Sequence, residues 1–114
     1  MSRERRQHKR HATTASIFID GYPVGELRAA DLSQGGIFVR TTRPMGLSAN
    51  IRLEIVVPES SLRLEMAGEV VHSLPGLGMG IRFTEISEQV FARLDAYLKE
   101  LEFDEKRRAG DTDS

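Results

Sequence analysis

Residues 51–70 read IRLEIVVPESSLRLEMAGEV, and this stretch decides the class of fold. Ile51, Leu53, Ile55 and Val57 alternate with Arg52, Glu54 and Val56 until Pro58 ends the run. Leu62, Leu64, Met66, Gly68 and Val70 then alternate with Arg63, Glu65, Ala67 and Glu69. A period of two sends successive side chains to opposite faces of a strand. Each run therefore has one apolar and one mostly polar face, as antiparallel sheets half exposed to water require. Gly68 stands in mid-strand, where a glycine marks a bulge or sharp bend that lets a sheet curl.

The same period extends in both directions. Ala15, Ile17 and Ile19 alternate with Ser16, Phe18 and Asp20, and residues 21–25 (GYPVG) have the composition of a turn. Residues 26–32 form a second, weaker strand. Ser33, Gln34, Gly35 and Gly36 interrupt it, residues 37–41 restart extended structure, and residues 43–46 (RPMG) turn again. After a loop at 75–78, residues 80–83 (GIRF) make a short sixth strand. The period then becomes helical. Val90, Phe91, Leu94, Tyr97, Leu98 and Leu101 recur at three- and four-residue spacing, behind Ser87 as N-cap and Glu88 in the first turn. The expectation is a mainly all-β domain over residues 12–103, a six-stranded antiparallel β-barrel with one C-terminal α-helix. A flexible basic arm over 1–11 precedes it, and the charged, small residues of 104–114 read as a disordered tail.

Length and composition set bounds on function. A chain of 114 residues suits one domain. There is no cysteine, which excludes disulfides, thiolate metal sites and a Cys nucleophile. The basic N-terminus has no apolar stretch behind it, and no run approaches the roughly 20 apolar residues of a membrane helix. The expectation is a cytoplasmic protein without membrane insertion. The net charge of −1 conceals an asymmetry. Residues 1–11 carry Arg3, Arg5, Arg6, Lys9 and Arg10 against Glu4 alone, a net +4 that leaves −5 on the remainder. Thirteen of the sixteen basic residues are arginine, whose planar fork matches phosphates, carboxylates and guanine edges better than the point charge of lysine. A basic arm on an acidic body invites an anionic partner.

Two clusters can carry such chemistry. Arg6 and Arg10 form an R-x-x-x-R spacing, with Arg5 immediately before it, and Asp31, Ser33 and Gly36 form D-x-S-x-x-G. Taken singly, the first is what a solvated Arg-rich arm contains and the second is what a turn prefers. In this order, about 20 residues apart with one strand between, the pair resembles the PilZ domain family, bacterial receptors for the second messenger cyclic di-GMP. The resemblance covers roughly residues 5–101 and includes Gly80-Ile81-Arg82-Phe83, similar to the family's late G-hydrophobic-x-F segment. It implies a barrel with a terminal helix and a cyclic di-GMP site built from Arg5, Arg6, Arg10, Asp31, Ser33, Gly35 and Gly36. It also implies a non-enzymatic receptor or adaptor without a cofactor, acting on an effector protein the sequence does not identify. In the family, a basic residue at the position of Arg5 goes with a stacked pair of ligands, so two molecules per protomer are expected.

The chemistry of the ligand agrees. Cyclic di-GMP offers two phosphodiester anions and two guanines. An arginine fork can pair with guanine O6 and N7, bond a phosphate, or stack on a purine. Asp31 accepts only, which suits the guanine N1–H and 2-amino donors. Ser33 can bond phosphate or base, and Gly35 and Gly36 are expected to offer N–H groups to an anion.

Other chemistries fit less well. His8, His11 and His72 lack a motif that supplies further metal ligands. No His or Lys base has a motif relation to Ser33, so neither a metal site nor a hydrolase is expected. A PilZ-like adaptor working through protein contacts alone is the alternative. DNA or RNA binding is disfavoured, because only the arm is basic and no aromatic platform accompanies it.

Overall fold

In a computed structural model, residues 9–22 and 27–113 are described, 108–113 as backbone only. Among these residues the strands are β1 (His11–Ala12), β2 (Ser16–Ile19), β3 (Leu27–Leu32), β4 (Gly36–Arg40), β5 (Asn50–Val57), β6 (Leu62–Leu74) and β7 (Gly78–Glu85). An α-helix, α1 (Glu88–Asp113), follows. All pairings are antiparallel. Strands run β3-β2-β5-β6-β7-β4, and β4 pairs back onto β3, so six strands close into a barrel. Closure removes the open edges that a sheet would otherwise present.

The β5–β6 hairpin obeys the alternation of its sequence. Leu53 pairs with Met66 and Ile55 with Leu64, all four buried, while Val56 lies opposite Arg63. Burying each such side chain contributes about 1.5–3 kcal/mol, so this inner face is one substantial part of the stability of the barrel. At Gly68 the β6–β7 register shifts, and a Cβ there would come within 2.6 Å of the Ile81 side chain. The bulge expected at Gly68 is present, and the packing of Ile81 explains why the residue has no side chain.

The first strand departs from expectation. His11 and Ala12, expected at the border of a flexible arm, pair with Leu32 and Asp31 of β3. β1 and β2 thus lie in succession along one edge of β3, interrupted at residues 13–15. Two residues are too short to display a period, which hides β1 in the sequence. Strand β6 runs on to Leu74, and residues 75–77 form the turn into β7.

Ser87 caps α1 as expected, its Oγ accepting from Val90 N–H at 3.1 Å. Leu94, Tyr97 and Leu98 join the barrel core, with Val90 and Leu101 partly buried against it. Phe91, counted in the apolar stripe, is exposed. The helix continues through Asp113 rather than ending near Phe103. No proline follows Ser87, and residues 104–109 (DEKRRA) include several strong helix formers, with a Lys106–Glu102 pair at i,i+4. Among the described residues, no helix is long and apolar enough to cross a membrane.

Candidate ligand-binding site

The turn from β3 into β4 is built around one hydroxyl. Ser33 is 6% exposed, and its Oγ accepts from the N–H groups of Gly35 and Gly36, both at 3.2 Å. Ser33 N–H closes the turn onto Gly36 C=O at 2.9 Å. The two glycine N–H groups, expected to be available to an anion, are therefore engaged inside the turn. The Gly36 backbone lies so close to β7 that a Cβ would stand 2.3 Å from the Ile81 carbonyl oxygen. Gly36 is thus required by contact with β7. Gly35 C=O accepts from Phe83 N–H at 2.9 Å, a second stitch between this turn and β7.

This rigid turn forms one wall of a cleft of ≈ 210 Å³. Ser33, Gly35, Gly36 and Ile37 line it from the turn and β4, Val71 and His72 from β6, and Gly80, Ile81 and Arg82 from β7. Arg10 lines it from the segment entering β1. Asp31 is not among the lining residues but holds Arg10, its Oδ1 accepting from Arg10 Nη1 at 2.8 Å. Of the residues chosen from sequence, Arg10, Ser33, Gly35 and Gly36 meet in the cleft, and Asp31 holds one of them. Arg5 and Arg6 lie outside the described residues. Ile37, Val71, His72, Gly80, Ile81 and Arg82 also line the cleft and were not chosen. The resemblance singles out Gly80-Ile81-Arg82-Phe83 but not as part of a site, and barrel closure is what brings β6 and β7 here.

The electrostatics are one-sided. Arg10, His72 and Arg82 face the cleft, and among the described residues no carboxylate lines it. Each guanidinium is held from outside by a carboxylate, Arg10 by Asp31 and Arg82 by Glu69 at 2.6 Å. Such a surface suits an anionic ligand with acceptor edges.

The arm faces two ways. Arg10 turns toward the cleft, whereas Lys9 pairs with Glu102 at 3.7 Å and His11 Nδ1 lies 3.3 Å from Glu105. Thr13 Oγ1 and the Tyr97 hydroxyl are 2.7 Å apart, and burial pushes the Tyr97 phenol above its usual value of 10.0. A second recess of ≈ 270 Å³ lies on this side, between the arm and α1. At its edge Gln34 donates to Asp95 at 2.5 Å, so the D-x-S-x-x-G turn is tied directly to the helix. That bond, ahead of Lys99, holds the Asp95 carboxyl below its usual 3.8.

The sequence model of one protein family, described as PilZ domain, matches residues 4–100. Among solved structures, the chain is similar to the motility inhibitor MotI/DgrA of Bacillus subtilis, with a TM-score of 0.74 and 20% identity over 88% of this chain and 52% of that one. It is also similar to YcgR of Escherichia coli in complex with c-di-GMP, with a TM-score of 0.76 and 16% identity over 95% and 50% of the respective chains. The isolated PilZ domain of YcgR with c-di-GMP gives a TM-score of 0.72 and 16% identity over 93% of this chain and 98% of that domain. The chain spans about half the length of MotI and of the longer YcgR chain. No curated protein matches it.

Proposed function

Because the chain belongs to the PilZ domain family, we propose that it is a receptor for cyclic di-GMP and that the cleft beside Ser33 receives the dinucleotide. The observation that carries this reading is the meeting of two motifs distant in sequence. Arg10 of R-x-x-x-R is hydrogen-bonded to Asp31 of D-x-S-x-x-G and lines a cleft together with Ser33, Gly35 and Gly36. Arg10 serves a phosphate or guanine with the donors it does not spend on Asp31. Asp31 accepts from a guanine edge, and Ser33 keeps the turn in shape beneath the ligand.

The cleft is smaller than the roughly 300–1,000 Å³ of sites that enclose a drug-sized ligand. The rest of the dinucleotide is covered by Arg6 and Arg5 as the arm closes. Closure changes the surface offered to an effector protein, at an ordering cost set against the new charge-assisted bonds. Arg5 carries the expectation of two stacked ligands per protomer.

Calorimetric titration with cyclic di-GMP tests the reading. Binding by the wild type and its loss in Arg6→Ala and Arg10→Ala are expected, with a molar ratio near two. No binding by the folded wild type would overturn the receptor assignment, and a ratio near one would remove the second ligand.

A further inference from the structure

We infer that Arg82, which belongs to neither motif, contacts the ligand in this cleft, and that Glu69 competes with the ligand for it. The inference rests on the receptor reading above and adds a contact to it. Arg82 is the cross-strand partner of the motif residue Gly36 on one side and of Glu69 on the other. The register thus fixes a row in which the arginine stands between the motif turn and a carboxylate. Arg82 lines the cleft together with Arg10 and His72.

Arg82 Nη2 donates to Glu69 Oε1 at 2.6 Å, and the two side chains are 58% and 28% exposed. A guanidinium has five N–H donors, and this bond occupies one of them. Exposed ion pairs of this kind add little to stability, so the arginine can turn to a stronger partner at small cost. The anions of a dinucleotide and the O6/N7 edge of guanine are such partners, and a planar fork fits both. Glu69 opposes the exchange twice, by holding Arg82 and by placing a negative charge near an anionic ligand.

The barrel contains its own control. Arg63 donates to Glu54 at 3.1 Å, with side-chain exposures of 60% and 25%. This pair also joins neighbouring strands and is almost equally exposed, but neither residue lines the cleft. A difference between Arg82 and Arg63 in binding therefore reports position, not the generic loss of a surface arginine.

The test is calorimetric titration of the full chain with cyclic di-GMP, with thermal melts to confirm folding. Arg82→Ala should weaken binding at least about tenfold, the scale of a lost hydrogen bond to a charged group. Arg82→Lys should recover part of the loss, Glu69→Gln should tighten binding about two- to fivefold, and Arg63→Ala should match the wild type. If the wild type binds and Arg82→Ala binds equally well, the Arg82 contact is wrong while the receptor reading stands. Equal weakening in Arg63→Ala would likewise overturn it, and unchanged or weaker binding by Glu69→Gln would remove Glu69 as competitor. If the wild type does not bind, the receptor reading fails first.

Discussion

Arg10 and Asp31, 21 positions apart in sequence, are joined by a 2.8 Å bond from Nη1 to Oδ1. Both side chains are partly exposed, 56% and 32%. Exposed pairs contribute about 0–1 kcal/mol, so the bond does little for stability. Arg10→Ala should change the unfolding free energy in urea by no more than that range while weakening cyclic di-GMP binding at least about tenfold. Paired urea melts and titrations check this, and a large stability loss would make Arg10 a structural residue instead.

Ser33 should behave in the opposite way. Its buried hydroxyl accepts from two backbone N–H groups. In Ser33→Ala those donors lose their partner, at about 1–3 kcal/mol. Denaturant unfolding should show that loss in the absence of any ligand. A Ser33→Ala variant as stable as the wild type would mean the turn holds itself.

Two glycines make a matched pair for a steric prediction. A methyl group at Gly36 meets the Ile81 carbonyl at 2.3 Å, whereas one at Gly46 meets nothing within 4 Å. Backbone cannot move aside as a side-chain tip can. Gly36→Ala should cost about 1–3 kcal/mol or more, and Gly46→Ala should be close to neutral in the same melt.

The Gln34–Asp95 bond predicts a dependence on acid. The Gln34 amide, and after it Lys99, favour the ionised carboxylate in the folded state. The folded pKa therefore lies below the unfolded value, near 3.8. The associated stability is present above that pH and is lost as pH falls through the folded-state pKa. Gln34→Ala removes the main cause, so its stability should fall less steeply than that of the wild type between about pH 5 and 2. Identical acid limbs would show that Lys99 alone holds the carboxylate.

The sequence disclosed the barrel most clearly where alternation was long. β5 and β6 follow a strict period of two, and Gly68 falls at a real bulge. It disclosed least where an element was short or the determinant lay far away. β1 is two residues and exists because Leu32 and Asp31 offer it an edge. The helix outlasts its apolar stripe because its later residues are helix formers that need no core. In the cleft, the motif spacing pointed to Arg10, Asp31, Ser33 and Gly36, yet their division of labour differs from the expectation. The N–H groups of Gly35 and Gly36 serve Ser33, which is a matter of turn geometry and not of composition. Arg82 was hidden because its nearness to Gly36 arises only when β7 pairs with β4.

The alternation of residues 9–13 has a consequence of phase. Lys9, His11 and Thr13 meet Glu102, Glu105 and Tyr97 of the helix, while Arg10 between them meets Asp31. Odd and even positions address different structures, and the two sets cannot be adjusted independently. Deleting Ala12 would slip the segment ahead of it by one place and exchange the two sets. Lysine would then face Asp31 and arginine the helix, with almost no change in composition. Residues 9–13 are written in a reading frame, and their meaning lies in parity as much as in charge.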